Sequence, residues 1–182
     1  DLRERSAARP ELKSLVGLAG AAVFIISCMP VPVPATGTCS HPCGTGLAAL
    51  LIGPALTVVV SSVSLTLQAL FLAHGGLTTL GANTMSMGVV GAYTATGIYL
   101  VARKARASIP VAAFLAGVIS DWATYLMTSL ELAAALGGEA SFVTMFKAIS
   151  LAFVPTQLPL GIIEGFVTAG ALQFMLARKP SL

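Results

Sequence analysis

Apolar positions dominate this chain, and their arrangement is its first message. From Ser14 to Ala102, a stretch of 89 residues, there is no Asp, Glu, Lys or Arg. Apolar runs recur at Leu15–Met29, Leu47–Ala73, Thr84–Ala102, Ile109–Leu136 and Phe142–Ala177. They are built from Leu, Ala, Val, Gly and Ile, without the period-two alternation of an outer-membrane barrel strand. An uncharged surface of that length cannot face water. In hydrocarbon the backbone must satisfy its own polar groups, and a helix does so within one segment. The pattern predicts an all-α, polytopic transmembrane helix bundle. Gly53-Pro54 interrupts the second run and divides it into a short arm, 45–52, and a helix, 55–73, giving six segments. About 20 residues span a bilayer, so the short arm is expected to be re-entrant and shielded by protein.

Composition agrees: 56% of the residues are hydrophobic and 9% charged, against about 25% charged in soluble domains. The net charge of +3 does not form one basic face with interleaved aromatics, as a nucleic-acid binder would show. The bases flank apolar runs instead, and so act as topology signals. Placing 1–13, 103–106 and 178–179 in the cytoplasm puts the loops at 30–46 and 74–83 outside. The re-entrant arm keeps this parity. Residues 1–182 read as one membrane domain, and the opening DLRERS, without Met or a signal sequence, reads as the start of a chain whose N-terminal piece is absent. Small residues four apart, Gly17 and Ala21, then Gly161, Gly165 and Ala169, are expected to let helices approach closely. Packing inside one bundle is favoured over a partner contact.

No HExxH, GxSxG, Walker A or GxGxxG motif is present, so the chain carries no phosphate loop with which to use ATP itself. The only histidines, His41 and His74, lie in Gly-rich loops predicted to share one side of the membrane. Imidazole suits cobalt, nickel, copper and zinc; two loop histidines making ordinary hydrogen bonds is an equally open reading. Cys28, Cys39 and Cys43 form no CxxC pair and read as small apolar residues. Polar side chains line single helix faces: Thr57, Ser61, Ser64 and Gln68; Asp121, Thr124, Tyr125 and Thr128; Gln157, Glu164 and Thr168. Ionisable groups inside a membrane are functional candidates by default. Asp121 and Glu164 sit at similar depth in consecutive antiparallel helices, so two ionised carboxylates would repel; a proton or a bond to Gln157 is expected to relieve this. Lys147 lies nearer the outer end. Structural glue is favoured over an ion pathway.

The histidine loops carry a resemblance. CSHPCGTGLAALLIGP at 39–54 and QALFLAHGGLTTLGANTMSMGVVG at 68–91 resemble the CbiM family, as do SDWATYLMTSLELA at 120–133 and FKAISLAFVPTQLPLGIIEG at 146–165. CbiM is the substrate-binding membrane subunit of energy-coupling-factor cobalt transporters. The resemblance implies that a histidine of the loop matching 39–46 completes a metal site begun by an N-terminal Met-His segment, so His41 inherits the ligand role. His74 is implied as a second or weaker group, with Ser40 and Asn83 as supporting polar residues. The related nickel-binding branch tends to carry an acid where this chain has His74, which favours Co²⁺ over Ni²⁺. The family also implies a transmembrane scaffold subunit, a pair of ATPase subunits, a small accessory membrane protein, and cobalt supply to cobalamin synthesis. With the N-terminal helix the bundle would have seven segments.

The expectation is therefore a cobalt-capturing membrane subunit, with nickel as the close alternative. Rivals of another class are a membrane enzyme using Asp121 and Glu164 as an acid–base pair, and a structural assembly subunit. The orientation is checked by single cysteines in a Cys-free background: an impermeant reagent should label Thr78→Cys and spare Ser108→Cys, and the reverse pattern would invert the topology.

Overall fold

The computed structural model describes residues 11–33, 38–72, 75–136, 138 and 141–178. His74, Gly137 and Glu139 lie outside the described residues, as do Pro34 and the first ten positions. Among the described residues the helices are α1 (Leu12–Ser27), α2 (Thr45–Ile52), α3 (Pro54–Phe71), α4 (Leu80–Lys104), α5 (Ile109–Ala135) and α6 (Phe142–Arg178). Four of them, α3 to α6, are long and apolar enough to cross a membrane.

Local sequence explains the boundaries. Gly44 and Gly53 bracket α2 with φ of 68° and 86°, values that a side chain would strain. Pro54 then opens α3, where its missing N–H costs nothing because first-turn amides have no intrahelical partner. Pro110 serves α5 in the same way. Pro155 and Pro159 lie inside α6 without ending its 37 residues. Helices in lipid tolerate such prolines when neighbours satisfy the freed backbone groups. At 1.5 Å per residue α6 is about 55 Å long, more than a hydrocarbon core of about 30 Å requires.

The apolar and polar faces separate as the helix periodicity demands. Phe71, Phe166 and Val101 are exposed, as lipid-facing residues should be. The polar faces point inward: Thr57, Ser61, Ser64 and Gln68 on α3 are all buried, as are Gln157, Glu164 and Thr168 on α6 and Asp121, Thr124 and Tyr125 on α5, with Thr128 half-buried. Gln68 ties α3 to α1 by donating from Nε2 to Ser27 Oγ at 2.6 Å. Helices α5 and α6 meet through glycine. A Cβ built at Gly165 would stand 2.5 Å from Val118 Cγ2, and one at Gly117 only 2.9 Å from Gly165 Cα. The α2 arm lies inside this frame, with residues 45–49 and Ile52 buried, so it is shielded as its length requires.

Three features depart from the sequence-based expectation. The fourth helix starts at Leu80 and not at Thr84, and its segment Thr84–Gly91 is π-helical. The small residues there pack closely: a Cβ at Gly91 would meet Thr124 Oγ1 at 2.8 Å and Thr45 Oγ1 at 2.9 Å. The 31–46 loop contains a short antiparallel hairpin pairing Val31 with Ser40 and Pro32 with Cys39. Its two-residue strands are too short to give a periodic signal. Gly17 and Ala21 face outward, and nothing lies within 4 Å of a Cβ at Gly17; the neighbouring Ala19, Gly20 and Val23 make the α1 contact instead.

The glycine seam yields a test. Gly165→Val should separate α5 from α6 and cost at least the roughly 1–3 kcal/mol typical of overpacking, whereas Gly170→Ala, with open space at its Cβ, should be neutral. Thermal retention of a monodisperse peak in detergent measures both.

Candidate functional site

The site is built around residues 38–44, which join the hairpin to α2. A loop entering a membrane bundle must find partners for its backbone groups, and α5 and α6 supply them. Tyr125 Oη accepts from the His41 N–H at 2.7 Å and donates to the His41 carbonyl at 3.0 Å. Thus one hydroxyl satisfies both backbone groups of the histidine. Ser40, fully buried, donates to Gln157 Oε1 and accepts from Thr156 Oγ1 at 3.1 Å.

Glu164 holds the far end. Its Oε2 accepts from the Cys43 N–H at 2.7 Å and its Oε1 from the Gly44 N–H at 2.9 Å. These are free amides at the N-terminus of α2, where the helix dipole favours negative charge. Gln157 links the Ser40 anchor to α5 by donating from Nε2 to Asp121 Oδ2 at 2.5 Å. That is the bond expected to relieve the carboxylate pair. Trp122 in turn donates from Nε1 to the Gln157 carbonyl at 3.2 Å.

With its backbone gripped from one side, the loop presents the His41 ring to a cavity of about 190 Å³. The ring is half-buried, lies edge-on to Tyr125 at 6.1 Å between centroids, and has Nδ1 3.3 Å from the Pro42 carbonyl. Asn83, Ser86, Thr124 and Cys39 line the same cavity. Burial pushes the Cys39 thiol up.

The predicted residues separate into groups. His41 and Asn83 share the cavity. Ser40 anchors the loop and does not line it. His74 lies outside the described residues, although its neighbours Gly75 and Gly76 line the cavity wall. Lys147 is exposed on α6 and belongs to neither group. Sequence reasoning missed Tyr125 as the grip on His41, and it missed the buried Cys43. Cys43, Asp121 and Glu164 each offer a ligand atom, and these atoms lie within 4.8 Å of one another. The aligned polar face of α5 was the available signal for Tyr125. No local pattern links Cys43 to residues 78 and 121 positions away.

Fold and site together define a multi-pass membrane protein of the transport class. Over residues 2–182 the chain matches the family described as the cobalt uptake substrate-specific transmembrane region, CbiM, and it belongs to that family. The cobalt transport protein CbiM of Sorangium cellulosum is 61% identical over 181 residues, covering all of this chain and 80% of that protein. Its counterpart in Geobacter sulfurreducens is 55% identical over 93% of this chain, which spans only about half, 49%, of that relative's length. A truncated transition metal transporter of known structure superposes with a TM-score of 0.80 over 97% of this chain and 86% of its own, at 22% identity. A second transition metal transporter gives 0.77 over 94% and 86% at 23% identity. At those identities the likeness concerns the fold. Family membership makes the chain a transport component, and the acid–base enzyme reading of Asp121 and Glu164 gives way to it.

The anchoring network predicts a graded response. Tyr125→Phe removes the hydroxyl that bonds both the N–H and the carbonyl of His41, at a cost of about 1–3 kcal/mol for a buried group. Cobalt retention should fall while the folded yield is kept. Asp121→Asn retains an acceptor for Gln157 and should be tolerated better than Asp121→Leu; the amount of monodisperse protein extracted from membranes distinguishes them.

Proposed function

We propose that this chain is the metal-capturing membrane subunit of an ATP-driven energy-coupling-factor transporter and that its cargo is Co²⁺. In this reading residues 1–182 act as one substrate-binding domain, and the ion is held first at the outer loops. His41 contributes an imidazole nitrogen, with His74 as a weaker or outer group and Asn83 as a polar wall. Ser40 acts indirectly, by holding the loop. The supporting observation is the gripped loop: a side chain whose backbone is fixed by Tyr125, with Ser40 and Cys43 fixed on either side, loses little freedom on binding. One imidazole is too few for a complete site, so the remaining ligands come from an N-terminal segment of the kind the family carries, or from water.

The partners in this reading are a transmembrane scaffold subunit, a pair of ATPase subunits that hydrolyse the ATP, and a small accessory membrane protein. They belong to the proposal through family membership. Nickel is the alternative cargo. Irving–Williams order favours nickel at an unselective site, so cobalt preference must come from geometry or from transfer to the partners. Supply of cobalt to cobalamin synthesis completes the reading.

Equilibrium dialysis tests the assignment. His41→Ala in the complete mature chain should abolish high-affinity cobalt retention, at least a hundredfold loss, and His74→Ala should weaken it less. Full cobalt binding by the His41→Ala protein removes His41 from the site.

A further inference from the structure

We infer that Cys43, Asp121 and Glu164 form a second, interior site for a divalent transition-metal ion, distinct from the outer cavity at His41. Three observations carry it. First, the ligand atoms of these side chains lie within 4.8 Å of one another. Ligands on one tetrahedral ion stand about 3.5 Å apart at metal–sulfur and metal–oxygen bonds of roughly 2.3 and 2.1 Å, so side-chain rotations that draw the atoms in by about 1 Å close the group on a single ion. Second, Asp121 is fully buried, and outside the Cys43 and Glu164 side chains of the same cluster its Oδ1 has no hydrogen-bond partner, while Oδ2 is held by Gln157. A buried carboxylate oxygen left unpartnered is costly, and a cation satisfies it. Third, no described basic side chain is buried with the group, so amides alone face its charge. Every described basic side chain, Lys13, Arg103, Lys104, Arg106, Lys147 and Arg178, is exposed, whereas Cys43 and Glu164 are also buried.

The donor set has a definite preference. One thiolate and two carboxylates exclude a hard-cation site of oxygens alone and favour a borderline ion such as Co²⁺ or Zn²⁺. Binding releases the Cys43 thiol proton, because a coordinating thiol is deprotonated. The amides of Cys43 and Gly44 occupy one lone pair on each Glu164 oxygen and leave the other for the ion. Gln157 orients Asp121 in the same way, as partners beyond the ligands do in metal sites generally. Cys43 follows His41 by two residues, so one loop carries a residue of each group. Only the choice of cobalt as the probe rests on the function proposed above; the site itself stands on its own side chains.

The test uses the complete mature chain in lipid nanodiscs, titrated with CoCl₂. Near-ultraviolet absorption reports thiolate-to-cobalt charge transfer, and cobalt-edge X-ray absorption reports sulfur in the coordination shell. The His41→Ala protein, with the high-affinity outer site removed, should still take up about one equivalent at higher cobalt concentration and show one sulfur neighbour. Adding Cys43→Ser should abolish both signals, whereas Cys28→Ser and Cys39→Ser should leave them. Asp121→Asn should weaken the remaining binding at least tenfold. The wild-type protein at two equivalents should show the same sulfur neighbour, which keeps the test independent of how any variant folds. Absence of sulfur around cobalt in the loaded wild-type protein, or its loss with Cys39→Ser and not with Cys43→Ser, overturns the interior site. If His41→Ala retains two equivalents, the outer assignment fails while the sulfur signal still decides the inner one.

Discussion

A carboxylate placed at the end of a half-length helix organises this molecule. Helix α2 is eight residues long and ends inside the bundle, so its first amides cannot reach water. Glu164 meets two residues at that end, accepting from Cys43 and Gly44. Neutral–charged hydrogen bonds of this kind contribute about 1.5–3 kcal/mol each, and the helix dipole adds to them. Without an acceptor there, burying the arm would leave unsatisfied donors in hydrocarbon, the arrangement membranes exclude. Conversely, Glu164 is 2% exposed and needs those donors to be tolerated at that depth. Arm and acid are mutually required.

The loop geometry follows from this fixed point. With residues 43–44 pinned, Ser40 bonds Gln157 and Thr156 on α6, and His41 is clamped across Tyr125. The anchors belong to α5 and α6, whose glycine-lined contact is the tightest in the bundle: at Gly161, Gly165 and Gly117 a Cβ would collide with the neighbouring helix. The opposite wall of the His41 cavity comes from α3 and α4, through Leu65, Asn83 and Met87. The imidazole is therefore carried by one rigid pair of helices and covered by another.

The fold was legible because membrane burial simplifies the code. An uncharged stretch of 89 residues without barrel alternation permits only helices as its spanning segments, and the Gly53-Pro54 break marks the boundary between α2 and α3 within a few residues. The inward polar faces were legible from helix periodicity alone, and every member is buried except the half-buried Thr128. The π-helical segment was not, since Thr84–Gly91 is a run of small and apolar residues whose register is set by what it packs against. The site was half legible. His41 stands out as one of two imidazoles, but Tyr125, Gln157 and Glu164 act on it from 84 to 123 residues away in sequence, and only packing brings them together. Cys43 reads as a small apolar residue until the carboxylates of two other helices surround it.

This dependence on distant residues separates the requirements of binding from those of folding. A surface loop could present a histidine with no more than prolines to stiffen it. Here the same loop is also the entry to a buried arm, so groups that keep the arm in the membrane direct the histidine as well. Gln157 shows the economy of the design: its oxygen accepts from Ser40 in the loop while its amide nitrogen donates to Asp121. A change at either end of that side chain reaches the other through one rigid amide group. Selectivity for a metal therefore need not reside in the ligand alone. If His41 is the ligand proposed above, selectivity can be set by α5 and α6, which fix the loop and so the angle at which the imidazole would meet an ion.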